Sequence, residues 1–226
     1  MLIDIFHDFA CPWCYIGKKH LFDAIAQLQE SQSQESQFQD LDIRIKWHPF
    51  LLDNSIPAEG YEFRSFMQAR KGITAPALEQ VFAYTRKAGE VAGVKLDFER
   101  ISLAVNTTLA HQLITLTPEK VKNTLVSAIY QAYFEDNLNI GNLDTLIAIS
   151  NFTGMNTAKL RSFLNSPAVL NTVVAESTFA RLNGVTSVPF FVFNNKVRVN
   201  GSQSVEVFEQ AITHAARSKT SVDRRW

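Results

Sequence analysis

This sequence has little cysteine, no surplus of either charge and no long apolar run, and each shortage narrows what the chain can be. Lys plus Arg and Asp plus Glu are 22 each, so there is no bulk positive field to hold a phosphate backbone and no acidic excess. Nucleic acid is therefore not an expected partner. No stretch approaches the ~18 apolar residues of a membrane span, so a membrane is not expected either. The segment Met1-Leu2-Ile3-Asp4-Ile5 carries no basic region, and Asp4 and Asp8 interrupt it before it reaches signal-peptide length. These features lead us to expect a cytoplasmic location, where structural thiols are kept reduced. Only two cysteines occur, Cys11 and Cys14, which excludes a disulfide framework. At that spacing and in that compartment, a pair is catalytic or metal-binding rather than a structural bridge.

What is present fits a compact globular protein. Of 226 residues, 46% are hydrophobic and 19% charged, enough apolar material for a core that needs no metal or disulfide staple. Residues 2–9 place Ile3, Ile5 and His7 on one face and Asp4, Phe6 and Asp8 on the other, as a strand does, and lead into the cysteines. Leu21, Ile25 and Leu28 then fall on one stripe of a helix. The polar, low-complexity stretch from Gln29 to Gln39 reads as a surface connection, and Ile43, Ile45 and Trp47 alternate as a second strand that Pro49 ends.

From about Ser55 to Pro167 the period changes and strand-like alternation almost disappears. Thr117 reads as the cap of a helix with Pro118 at its first position, and Gly141 as the close of that region. Asn142 and Asn156 read as caps of further helices, with Gly154 between them. Past Pro167 a helix ends at Asn183-Gly184, and the β-branched and aromatic run from Val188 to Phe193 begins a strand. Asn194-Asn195 turns the chain into Val197-Arg198-Val199, Ser202 or Ser204 caps a last helix, and 218–226 reads as a loose tail. Strand, helix, strand, helical insertion, helix, hairpin and helix is the thioredoxin order with an insertion. The predicted class is α/β, a thioredoxin fold made from 1–54 and 167–226 and interrupted by an all-helical domain over 55–166.

Residues i and i+3 on the first turn of a helix satisfy the Cα separation of roughly 4.4–6.8 Å that a disulfide needs, so Cys11 and Cys14 can bridge. The free backbone N–H groups and positive dipole end at that place favour a thiolate at Cys11, which makes it the nucleophile. Cys14, one turn further in, is shielded and resolves a mixed disulfide. Pro12 starts the helix without donating to the sulfur, and Trp13 offers a flat apolar surface to a substrate. The competing reading is half of a structural zinc site. It lacks a second cysteine pair, and His7, His20, His48, His111 and His214 show no His-x₃₋₅-His spacing.

Two further places bear on the chemistry. Val188-Pro189 opens the third strand, and in a thioredoxin order this loop lies beside the cysteines. A cis-Pro189 there presents the Val188 backbone to an extended substrate. In 106–111, Asn106 caps a helix and His111 is a satisfied core or surface histidine, or else Thr107 and His111, at i and i+4, face the site and the histidine handles a proton. His7 and Asp8, just before Cys11, are further candidates for tuning its thiolate.

These residues fall into blocks that resemble the DsbA-like thioredoxin-fold family, in its FrnE-type branch. The blocks are Asp8 through Gly17, Trp47-His48-Pro49-Phe50, Asn106-Thr107 with Ala110-His111, Ala132-Tyr133-Phe134 with Asn139-Ile140-Gly141, Gly184 through Phe193, and Gly201-Ser202-Gln203. The resemblance implies a split thioredoxin domain with cis-Pro189 facing the cysteines, and a protein-disulfide oxidoreductase that acts on protein or small-molecule thiols and disulfides. No metal or organic cofactor is implied, although glutathione can serve as co-substrate, and a homodimer is compatible with it. Ser187 departs from the glycine usual in the family at that position. The related 2-hydroxychromene-2-carboxylate isomerases and kappa-class glutathione transferases typically carry serine where this chain has Cys11, so a glutathione-dependent isomerase or transferase is the alternative activity. A non-enzymatic alternative is a peptide-binding, chaperone-like module built on the apolar surface near Trp13 and Pro189.

Overall fold

A computed structural model describes residues 1–31 and 41–217. A four-stranded sheet forms its centre: β1 (Leu2–His7), β2 (Arg44–Pro49), β5 (Phe190–Phe193) and β6 (Val197–Asn200), in the order β2-β1-β5-β6. β2 runs parallel to β1, while β5 and β6 are antiparallel to their neighbours. β1 is an inner strand, which is why five of its six residues are buried and why polar Asp4 and His7 are buried with the isoleucines. Ile3 and Ile5 pair with Phe193 and Phe191 on one face, where Phe208 and Ile212 of α9 (Val205–Arg217) cover them. Phe6 and Val192 point the other way, against Ala180 of α8 (Pro167–Leu182) and Val185. Each large apolar side chain buried in these layers contributes roughly 1.5–3 kcal/mol of transfer free energy.

α1 (Pro12–Ser31) lies on the α9 side of the sheet, with Leu21 and Ala24 buried beneath it. It comes close because Gly17 has no side chain: a Cβ there would lie 3.1 Å from Cγ of Pro189 and 3.2 Å from the Phe191 ring. Between β2 and α8 run α2 (Phe63–Lys71), α3 (Ala75–Val91), α4 (Thr108–Leu116), α5 (Glu119–Phe134), α6 (Leu143–Ile149) and α7 (Thr157–Leu164). Asn142, Asn156 and Ser166 cap α6, α7 and α8 through their side chains, and Gly154 takes a left-handed conformation.

The structure departs from the sequence reading in four places. The α1 helix extends through Gln29 to Ser31, and the rest of the expected connection lies outside the described residues, as does the tail 218–226. Thr117 is extended at the end of α4 and its hydroxyl donates to the Leu113 carbonyl, so Pro118 rather than Thr117 precedes α5. α5 stops at Phe134, and Gly141 instead sits where a Cβ would crowd the Asn106 carbonyl at 3.1 Å. The segment over 55–166 also holds a two-stranded ribbon of β3 (Tyr61–Glu62) and β4 (Leu103–Ala104), each too short to show alternation.

Candidate functional site

The end of β1 and the start of α1 build the site. After His7 the chain turns through Asp8-Phe9-Ala10, the Cys11 amide donating to the Asp8 carbonyl at 3.1 Å. The amides of Cys14 and Tyr15 donate to the Cys11 carbonyl at 3.1 and 3.4 Å, so Cys11 stands at the head of the helix and Pro12 occupies its first position. The helix N-terminus therefore aims its positive dipole end at this residue. Across the gap, the Cys11 sulfur lies 3.7 Å from the Val188 carbonyl oxygen, and the Val188–Pro189 peptide is cis. Ser187, beside it, does not have the positive φ that would call for glycine, and its hydroxyl donates to the Asn200 side-chain oxygen at 3.0 Å. Both cysteines are free thiols; Cys11 is 6% exposed and Cys14 2%.

Asp8 is buried directly behind the turn. One carboxylate oxygen accepts the Ala10 amide at 2.8 Å; the other accepts the Leu52 amide at 2.7 Å and the Thr107 hydroxyl at 3.2 Å. Burial raises its pKa, against the opposing pull of those donors and of Arg70. Asp8 thus ties the cysteine turn to the chain after β2 and to the start of α4. Burial, with Cys11 alongside, pushes the Cys14 thiol well up.

An aromatic and imidazole cluster forms around the end of β1. Nδ1 of His7 is 2.8 Å from the Tyr130 hydroxyl, which donates to the Asp8 carbonyl at 3.3 Å. The His111 ring packs edge-on to His7 with centroids 5.0 Å apart and lies 4.9 Å from Phe9. Burial drives the His111 pKa down to about 3 and that of His7 well down, the latter helped by His111 and His48. Nε2 of each ring has no hydrogen-bond partner.

The candidates picked from sequence divide accordingly. Cys11, Cys14, Pro12, Asp8, Val188 and Pro189 come together at the site. Trp13 is half-buried, with its ring 5.8 Å from that of Tyr84 on α3, and with Cys11 and Pro12 it lines a cavity of about 370 Å³ walled by Phe63, Phe66 and Phe82. His7 and His111 are buried against each other, with His7 bonded to Tyr130. Asn106 turns away: its amide donates to the Ile56 carbonyl at 2.7 Å and its oxygen accepts the Thr108 amide at 2.9 Å, ordering the turn before α4, whose cap position is held by Thr107 rather than Asn106. Among the described residues no group of three or more His, Cys, Asp or Glu side chains is arranged to hold a metal ion, and no helix is long and apolar enough to cross a membrane. Tyr130, Tyr84 and the Leu52 amide were not legible in the sequence. Tyr130 is one tyrosine in an ordinary helical pattern, 123 positions from the histidine it meets.

The model of the DSBA-like thioredoxin domain family matches residues 2–213. An uncharacterized protein of Bacillus subtilis, YwbO, is 24% identical over 220 residues, covering 96% of this chain and 98% of its own length. The structure of a probable DsbA oxidoreductase from Streptomyces coelicolor is similar with a TM-score of 0.85 at 24% identity, covering all of this chain and 94% of the other. A 2-hydroxychromene-2-carboxylate isomerase is similar at a TM-score of 0.63 and 16% identity, over 96% of this chain and 97% of that one.

Proposed function

The chain belongs to the DSBA-like thioredoxin domain family, and from that premise we propose that it is a protein-disulfide oxidoreductase of the FrnE type, working in the cytoplasm through Cys11 and Cys14. The observation that carries this reading is the asymmetry of two free thiols: Cys11 heads a helix against the Val188 carbonyl, and Cys14 is sealed behind it. The Cys11 thiolate attacks one sulfur of a substrate disulfide, forming a mixed disulfide and releasing the other sulfur as a thiolate. Cys14 then attacks the Cys11 sulfur, the protein disulfide closes, and the second substrate thiolate leaves, two electrons having passed to the substrate. The reverse sequence oxidises a dithiol. Protein or small-molecule thiols and disulfides, glutathione among them, fit this chemistry, and no organic cofactor or metal enters it.

Reduction of insulin, or exchange with glutathione disulfide, tests the reading. Cys11→Ser abolishes turnover, and Cys14→Ser retains the first thiol release but stops at the mixed disulfide. A wild-type protein without either activity rejects it. The cavity beside Cys11 favours a second reading, a glutathione-dependent isomerase or transferase acting on a small molecule. Such a reaction needs no resolving thiol, so turnover of a small electrophile that survives Cys14→Ser would select it.

A further inference from the structure

We propose that the cavity beside Cys11 selects the substrate: a small-molecule disulfide or thiol whose sulfur is carried by an aromatic ring bearing a carboxylate, with the ring inside the cavity and the carboxylate at Lys71. The proposal rests on the redox reading above. At about 370 Å³ the cavity falls at the small end of the roughly 300–1,000 Å³ typical of small-molecule sites. Cys11, Pro12 and Trp13 line it, so a sulfur attached to its occupant is presented to the nucleophile.

The walls dictate what can enter. Phe63, Phe82 and Phe98 are buried and stacked nearly parallel, with ring centroids 5.6 Å apart for the first pair and 4.6 Å for the second, and Trp13 and Phe66 add rings that are only half-buried. An aromatic occupant meets ring faces and edges there and packs by offset stacking or edge to face. The polar side chains of the lining are mostly engaged already. Asp8 holds its three donors, the Thr107 hydroxyl among them, and the Thr85 hydroxyl donates to the Val81 carbonyl at 2.8 Å. Arg70 pairs with Asp53 and donates to the Leu52 carbonyl at 3.0 Å. Glutathione carries carboxylates, an ammonium group and amides, which would lose water inside without finding replacement partners. Val188 and Pro189 do not line the cavity, so a peptide backbone paired with them does not fill it.

One charge of the lining is unpaired. Lys71, exposed at the end of α2, has no ion-pair or hydrogen-bond partner among the described residues, whereas Arg70 beside it is held by Asp53. An anionic group on the solvent side of the bound ring therefore meets a free ammonium. The step balances. The Cys11 thiolate attacks the sulfur of the ring seated in the cavity, the substrate S–S bond breaks, and the other half leaves as an aryl thiolate. Cys14 attacks the Cys11 sulfur, the protein disulfide forms, and the second aryl thiolate leaves the cavity. Two electrons pass from the protein to the substrate, and the two protein thiol protons pass to solvent.

Pre-reduced protein is mixed with dithiodipyridine, an uncharged aromatic disulfide, with dithiobis(nitrobenzoate), an aromatic disulfide with carboxylates, or with hydroxyethyl disulfide, which has neither feature. Acid quench and mass spectrometry follow closure of the Cys11–Cys14 disulfide, and dividing each variant's rate constant by that of wild type cancels the intrinsic reactivity of the reagent. In Val81→Phe, which fills the cavity from α3, we expect the dithiodipyridine rate to fall by roughly tenfold or more relative to the hydroxyethyl disulfide rate. Phe66→Ala strips a ring from the wall and lowers the same ratio; it serves if the first variant does not fold. In Lys71→Glu, the dithiobis(nitrobenzoate) rate falls roughly threefold or more relative to the dithiodipyridine rate. Ratios within about twofold of wild type in folded variants overturn the proposal. So does a loss of insulin reduction in Val81→Phe as large as the loss with dithiodipyridine, because the cavity then takes protein side chains. A wild type that closes no Cys11–Cys14 disulfide with any reagent overturns the redox reading, and the proposal with it.

Discussion

At the residue scale, Asp8 shows how one buried side chain can organise chemistry without being a reactant. Its carboxylate serves three donors from three parts of the chain. Asparagine has nearly the same shape but a single acceptor oxygen, and its NH₂ would face a donor. Asp8→Asn is therefore expected to cost about 1–3 kcal/mol in urea unfolding, since an unsatisfied buried group pays its desolvation in full. An unchanged midpoint would mean that the three bonds contribute nothing net. Residues of this kind were partly legible. Asp8, Cys11, Pro12 and Cys14 stand within one turn of chain, so sequence spacing already implies their contact. Tyr130 reaches the Asp8 carbonyl from 122 positions away, and no local pattern reports such a meeting.

At the scale of elements, the close contact between α1 and β5 sets the distance from Cys11 to the Val188 carbonyl. Gly17 makes that contact possible. Gly17→Val adds two methyl groups beyond a Cβ that is already tight, so the helix must lift from Pro189. Overpacking of this sort costs about 1–3 kcal/mol, read as a lower urea midpoint, and exchange with glutathione disulfide should slow in parallel. A variant as stable and as active as wild type would show that the helix has room to move. Element boundaries were well marked where short-range chemistry fixes them, as with the Asn142 and Asn156 caps and the Asn194-Asn195 turn, where both residues have positive φ. They were misplaced where the same residue types serve other purposes: Thr117 bonds back to α4, and Gly141 makes room for the Asn106 carbonyl. β3 and β4 exist through their pairing with each other, which no two-residue pattern announces.

At the scale of the whole molecule, the buried imidazoles couple folding to pH. His111 is driven down to about 3 and His7 well down by burial, whereas both titrate near 6.5 in an unfolded chain. Between those values the unfolded state binds more protons, so stability is full above about pH 6.5 and falls as the pH drops toward about 3, by about 1.4 kcal/mol per pH unit for each ring. Urea midpoints taken at pH 7, 6 and 5 check this trend, and His111→Phe should remove one ring's share of the slope; an identical slope in that variant would refute the assignment. The order of the four central strands and of α1, α8 and α9 was legible, because each announces itself by its own period. The meeting of His7 with Tyr130 was not legible, whereas that order also placed the Val188-Pro189 loop beside the cysteines, through the pairing of β1 with β5 from opposite ends of the chain. That pairing has a consequence for synthesis. The Val188 carbonyl that faces Cys11 lies 177 positions downstream, so at about 5–20 residues per second a ribosome needs roughly 9–35 s to make it after the cysteine. For that interval the nascent chain carries two thiols without their covering loop, open to any oxidant at the tunnel exit until the last fifth of the protein arrives.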